Sequence, residues 1–184
     1  MRVLGVDPGT RHLGWGVLER KGSRIDHIAH GVIDTDTDRE LWHRLVMIDE
    51  ELAKVIAEHR PEAAAVEAIF YAKDAQAAAK LGHARGVILL RLAHAGVSIF
   101  EYPPARVKRA VVGSGKATKE QVLQVVMRLL RLTEAPRLDA SDALANAFAH
   151  LSMAPFHEAM ARLGPVGVPV RAAARRRGWP KKIV

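Results

Sequence analysis

Hydrophobic and polar positions change period several times along the chain, and each change marks an element. Residues 2–7 are mostly apolar, and residues 13–19 resume the pattern after Pro8-Gly9, so both read as strands around a turn. Residues 24–33, RIDHIAHGVI, alternate well enough for a third strand. From about Asp38 to Glu58 the period lengthens. Leu41, Leu45, Ile48, Leu52, Val55 and Ile56 recur at helical spacing, and Pro61 ends that helix. Residues 63–70, AAAVEAIF, form a short apolar strand with Glu67 in its second half. An Ala-rich helix is predicted from Lys73 to about Ala95, where Gly96 stops it, and VSIFEY (97–102) is the fifth strand. Pro103-Pro104 opens a short helix to about Val112. Thr118 is the expected N-cap of a helix to Leu130, and LDASDALANAFAHLSM (138–153) is the last clear helix. Beyond about residue 160, Gly164, Pro165, Gly167 and Pro169 break any pattern, and this end is expected to be poorly ordered.

Three consecutive strands pair as an antiparallel meander, whereas the later strands need helical crossovers and lie parallel. The prediction is an α/β fold, a mixed five-stranded sheet with helices on both faces. A chain of 184 residues is sized for one domain. Residues 1–155 are expected to form that domain and residues 156–184 a basic, flexible tail.

Composition narrows the function. The absence of Cys excludes disulfides, thiolate metal sites and a Cys nucleophile. Neither a signal-peptide pattern nor an 18-residue apolar run is present, so a cytoplasmic location is expected. The net charge of +8 suggests an acidic partner such as nucleic acid. Arg171, Arg175, Arg176, Arg177, Lys181 and Lys182 carry most of it, and without them the remainder is only +2. A solubilising tail explains such a cluster as readily as nucleic-acid contact does.

The chemistry lies in four acids. Ligands of such sheets gather at the carboxyl ends of parallel strands. Asp7 ends the first strand and Glu67 falls near the end of the fourth. Asp139 and Asp142 are three apart on one face of the last helix. Asn146 and His150 share that face, while Leu144, Phe148 and Leu151 point the other way. Each acid alone has an ordinary explanation: a turn aspartate, a strand-end glutamate, an N-cap with an acid in the first turn. Together, four carboxylates without intervening cations repel one another. A divalent ion resolves this, and all-oxygen ligands suit Mg²⁺ or Mn²⁺. Two such ions on a phosphodiester activate a water and stabilise the leaving oxygen. Asp-Pro-Gly-Thr also resembles a phosphate loop of the actin–sugar kinase ATPases, but the second loop and the adenosine motif are missing. Gly-Ser-Gly-Lys-Ala-Thr is not a P-loop, because Ala117 stands where Ser or Thr is required and the stretch follows a helix.

Four blocks in order over residues 1–150, GVDPGTRHLGWGV, VEAIFYAKDAQAAAKLGHARG, FEYPPARVKRAVVGSGKATKEQV and LDASDALANAFAH, resemble the motif blocks of the RuvC family. These are crossover (Holliday) junction endonucleases of ribonuclease H-like fold. The resemblance implies that Asp7, Glu67, Asp139 and Asp142 are catalytic metal ligands. It also implies a homodimer that nicks two opposed strands of a four-way DNA junction, a preference for a short thymine-containing sequence, and the branch-migration proteins RuvA and RuvB as partners. Phe70 and Tyr71 follow Glu67, and an aromatic there can stack on or wedge between bases, although Phe70 can equally be core. Lys108, Arg109, Lys116 and Lys119 cluster before and at the start of the fourth helix and are candidate phosphate contacts, with Lys108 and Lys119 favoured by the resemblance. Ala78, Gly82 and Gly86 form a stripe of small residues on the second helix, suited to a two-fold axis or to packing on the chain's own sheet. Two alternatives remain open: another ribonuclease H-like nuclease acting on RNA, and a non-catalytic nucleic-acid binder.

Overall fold

The computed structural model describes residues 1–68 and 75–163, with residues 154–163 by backbone alone. In chain order the elements are β1 (Arg2–Asp7), β2 (His12–Lys21), β3 (Arg24–Asp34), α1 (Leu41–His59), β4 (Ala63–Glu67), α2 (Ala75–His94), β5 (Ser98–Tyr102), α3 (Pro104–Val112), α4 (Lys119–Leu130) and α5 (Leu138–Leu163). The strands form one sheet in the order β3-β2-β1-β4-β5. The β1–β2 and β2–β3 pairs are antiparallel, and β4 is parallel to both β1 and β5. This is the predicted mixed sheet. No described helix is long and apolar enough to cross a membrane.

Alternation along the strands sends side chains into two cores. Val3, Leu18, Ala63 and Ala65 meet α3, α4 and α5 through Val107, Val126 and Leu144. Leu4, Val6, Leu13 and Val17 meet α1 and α2 through Ile48, Leu52, Ala84 and Ile88. The chain divides into a compact unit of Met1–Met153 and a second unit of Ala154–Val184.

Element boundaries differ from expectation in three places. Helix α1 begins at Leu41 rather than at Asp38, because Asp36 first closes a turn: its carboxylate accepts from the Asp38 amide at 3.1 Å and its carbonyl from the Arg39 amide at 3.3 Å. Strand β4 ends at Glu67, although the apolar run continues to Phe70. Helix α5 continues to Leu163, past both its predicted end and the expected domain boundary. Phe70, Tyr71, the predicted start of the second helix at Lys73 and the basic tail from residue 164 lie outside the described residues.

Candidate active site

The sheet topology brings the first two acids together. Val6 is in register with Val66 on the neighbouring parallel strand, so Asp7 and Glu67, one residue on, leave adjacent strand ends. Helix α5 supplies the third acid, and glycine makes its approach possible. A Cβ on Gly5 would overlap the Ala143 carbonyl, one on Gly14 would overlap the Asp139 carbonyl, and one on Gly16 would stand 2.6 Å from Leu144 Cδ2. Helix backbone therefore lies directly on strand backbone beside Asp7. Gly14→Val is expected to push the start of α5 off the sheet, costing about 1–3 kcal/mol as overpacking does and most of the activity. Thermal melts and nicking rates check this, and a variant that melts and cuts like wild type rules out the close contact.

Asp7, Glu67, Asp142, Lys108, Lys119 and Asn146 line one cleft. Lys119 enters it because α4 starts where predicted. Thr118 Oγ1 accepts from the Gln121 amide at 3.3 Å, and Gln121 Oε1 accepts from the Thr118 amide at 2.9 Å, a capping box that fixes the first turn. Lys119 Nζ donates to Asp142 Oδ2 at 2.5 Å. Burial, then the charges of Glu67 and Asp142, push the Asp7 carboxyl up to about 8, and Lys119 offsets only part of this. Glu67 is raised as well, by burial first and Asp142 next, against the pull of Lys119 and Lys108. Burial works against the Lys119 charge, but its bond to Asp142 and the field of the acids outweigh it, and its pKa moves up.

Asp139 stands apart from this group. It is half-buried, its charge is the last of the contributions felt by Asp7, and it is not among the residues lining the cleft. Arg109 and Lys116 are exposed and also lie outside the cleft lining. Of the face-sharing residues on α5, Asn146 is buried, with Nδ2 donating to the Val6 carbonyl at 3.0 Å. His150 is drawn to β5 instead, with its Nδ1 2.7 Å from the Tyr102 hydroxyl and its ring 4.5 Å from that of Phe100.

Sequence reasoning missed the residues that brace this arrangement. Arg137, just before α5, grips Asp34 at the end of β3 through two bonds of 2.5 and 2.9 Å, and His12 Nδ1 lies 2.6 Å from the same carboxylate. The Arg137 and His12 bonds hold the Asp34 carboxyl down to about 2. Residues more than a hundred positions apart meet here, and no local pattern announces them. The glycine track was in principle visible: Gly5, Gly14 and Gly16 share one sheet face once strand phase is known.

The donor set fits a divalent cation. Three carboxylates face one cleft, the neighbouring acids add to burial in raising Asp7 and Glu67, and the buried Asn146 Oδ1 beside them accepts no hydrogen bond from any described residue. As the side chains stand, no three His, Asp or Glu among the described residues converge tightly enough to hold an ion.

The profile of a family described as "Crossover junction endodeoxyribonuclease RuvC" matches residues 3–150. A protein of that description from Sorangium cellulosum is 65% identical over 176 residues, covering 96% of this chain and 98% of the relative. One from Geobacter metallireducens is 51% identical over 154 residues, covering 84% of this chain and 94% of the relative. A solved structure of T. thermophilus RuvC in complex with Holliday junction substrate superposes with a TM-score of 0.80 at 38% identity, covering 85% of this chain and 96% of that one.

Proposed function

The chain belongs to the RuvC family and is a crossover junction endodeoxyribonuclease of recombination and repair; we propose that Asp7, Glu67, Asp139 and Asp142 are its catalytic acids. The observation that carries this reading is the clustering of Asp7, Glu67 and Asp142, with Lys119, in a cleft at the strand ends. These acids would hold Mg²⁺ or Mn²⁺, two ions per site, which would supply Lewis-acid activation of a water and charge stabilisation at the leaving oxygen. Asp7 and Glu67 offer oxygens from rigid strand ends, and Asp142 offers one from a helix seated on bare backbone. Asp139, outside the cleft lining, would complete the set from the same helix. Lys108 and Lys119 neutralise the acids and hold the phosphate of the strand to be cut, with Arg109 and Lys116 contacting phosphates farther out. Phe70 and Tyr71, just beyond Glu67, are the proposed base-stacking residues.

A panel of labelled four-way junctions, linear duplexes and RNA hairpins, each with Mg²⁺ or Mn²⁺, tests the reading. Paired nicks in the junction alone are expected. Cleavage confined to RNA, or to no substrate, overturns it.

A homodimer that places two sites on opposed strands follows from this reading, with α2 at its axis and RuvA and RuvB as further partners. What supports the axis is the outward face of α2. Ala84, Ile88 and Leu92 are buried on the sheet, whereas a Cβ on Gly82 or Gly86 meets nothing within 4 Å. Leu90 on α2 and Trp42 and Val46 on α1 are also exposed, and Val46 and Leu90 line one groove between the two helices. Packing on the chain's own sheet therefore does not explain these glycines, each of which costs about 1 kcal/mol in a helix interior relative to Ala. Gly82→Leu is expected to sediment as a folded 20.1 kDa monomer that makes few coordinated nicks, against a dimeric wild type. A wild type that sediments as a monomer at micromolar concentration, with and without junction, removes the dimer and the paired-nick scheme.

A further inference from the structure

We propose that Thr35 and Arg44 form a pin that fixes the loop leaving Asp7, and that both are positioning residues for phosphodiester cleavage. The inference rests on the reading of Asp7 as a catalytic acid.

After Asp7 the chain must turn back into β2 within four residues, Pro8 to Arg11. The turn is tight, since a Cβ on Gly9 would overlap the His12 carbonyl. Its conformation is secured from outside. The Thr10 carbonyl accepts from Thr35 Oγ1 at 2.7 Å, from Arg44 Nε at 3.0 Å and from Arg44 Nη2. Arg44 Nε also lies 3.2 Å from Thr35 Oγ1, so the hydroxyl accepts from the guanidinium while donating to the carbonyl. The Thr35 amide donates to the Arg11 carbonyl at 2.9 Å, which extends the β2–β3 ladder one step past its last pair.

Two features argue that this is orientation and not incidental bonding. Thr35 is 8% exposed and is one of few buried polar side chains among the described residues. Arg44 stands in the first turn of α1, on the face of the sheet opposite α5, and spends its forked donors on a backbone carbonyl and a hydroxyl. A guanidinium in that use acts as a rigid two-point clamp. Because the peptide is planar and trans, drawing the Thr10 carbonyl toward α1 turns the Arg11 amide away from α1. One rotation of this peptide plane thus fixes the turn three residues beyond Asp7. A loop otherwise free to open would spread the position of that carboxylate, and small misplacements of reacting groups cost rate steeply.

The test uses Thr35→Val, Thr35→Ser, Arg44→Gln and Arg44→Lys in the full chain. Thr35→Val and Arg44→Gln are expected to slow single-turnover nicking about ten- to a hundredfold at saturating protein, with junction affinity within about twofold of wild type. Exchange of the Thr35 amide, which is bonded to the Arg11 carbonyl, should accelerate while exchange in the core of β1 stays slow. Thr35→Ser keeps the hydroxyl and should nick like wild type, and Arg44→Lys, with one donor centre, should fall between. Unchanged exchange of the Thr35 amide overturns the pin. So does an Arg44→Gln variant that loses junction affinity but keeps its saturated rate, since Arg44 would then be a DNA contact. If Thr35→Val melts below the assay temperature, Arg44→Lys and Thr35→Ser carry the comparison, and equal rates and exchange in both and in wild type overturn the pin. A wild type that does not nick junctions sinks the functional reading instead, while the exchange data still decide whether the loop is pinned.

Discussion

Asp7→Asn is expected to abolish nicking of a four-way junction while leaving the junction bound. The amide has nearly the shape of the carboxylate, so the strand end and the Gly5–Ala143 contact are undisturbed. What it loses is the anionic oxygen. Metal-ion stabilisation of a phosphodiester transition state is worth several kcal/mol, and each 1.4 kcal/mol is tenfold, so the rate should fall at least about a thousandfold. Removing a negative charge beside bound phosphates tightens binding or leaves it unchanged. Glu67→Gln and Asp142→Asn should behave alike, and the latter also releases Lys119 from its 2.5 Å bond. Asp139→Asn should cost less, because Asp139 stands outside the cleft that the other three line. Gel-shift titrations without divalent ions and nicking assays with Mg²⁺ separate binding from cutting. Near wild-type nicking by Asp7→Asn would falsify the assignment.

Most of the architecture was legible in the sequence because it depends on local period. Alternation marked the strands, 3.6-residue spacing marked the helices, and Thr118 announced the start of α4 by its cap. Asp7 and Glu67 could be singled out before any coordinates, since a charge at the end of an apolar strand is costly unless something meets it, but that their strands are neighbours came from the sheet order. Asp139 and Asp142 were visible as a helical pair, but not that only Asp142 of the two lines the cleft. Rotation of α5 on its axis depends on the glycines beneath it, and those sit in other strands. For the same reason His150 could be placed on the face of the acids but not in the grip of Tyr102. The Arg137–Asp34–His12 brace and the Arg44–Thr35 pin join residues far apart in sequence whose types carry no periodic signal. Asp36 delayed α1 by a turn that competes locally with the helix, a choice that hydrophobic spacing does not register.

The Asp7 proton predicts how pH should act on both stability and catalysis. In the folded chain Asp7 holds its proton to about 8, against 3.8 for the unfolded group. Below about pH 4 both states are protonated and the group contributes nothing. Between about 4 and 8 the unfolded chain has lost a proton that the folded chain keeps, so stability without metal falls as pH rises, and above about 8 it levels off. The loss is on the order of a few kcal/mol, and Asp7→Asn should remove it. The variant should therefore match wild type near pH 4 and exceed it at pH 8.5 in metal-free denaturant melts. Divalent ions bind the ionised carboxylate and must displace that proton, which reverses the trend for activity. At limiting Mg²⁺ the nicking rate should climb nearly tenfold per pH unit up to about 8, or roughly a hundredfold from pH 6 to 8, and saturating Mg²⁺ should flatten the profile. Burial is the first cause of the shift, and Glu67 and Asp142 follow. Glu67→Gln should accordingly move the midpoint down without restoring the ordinary aspartate range. A limiting-Mg²⁺ profile that is flat from pH 6 to 8, together with parallel melts for wild type and Asp7→Asn, would show that the carboxylate ionises freely and that the acids are not crowded in solution.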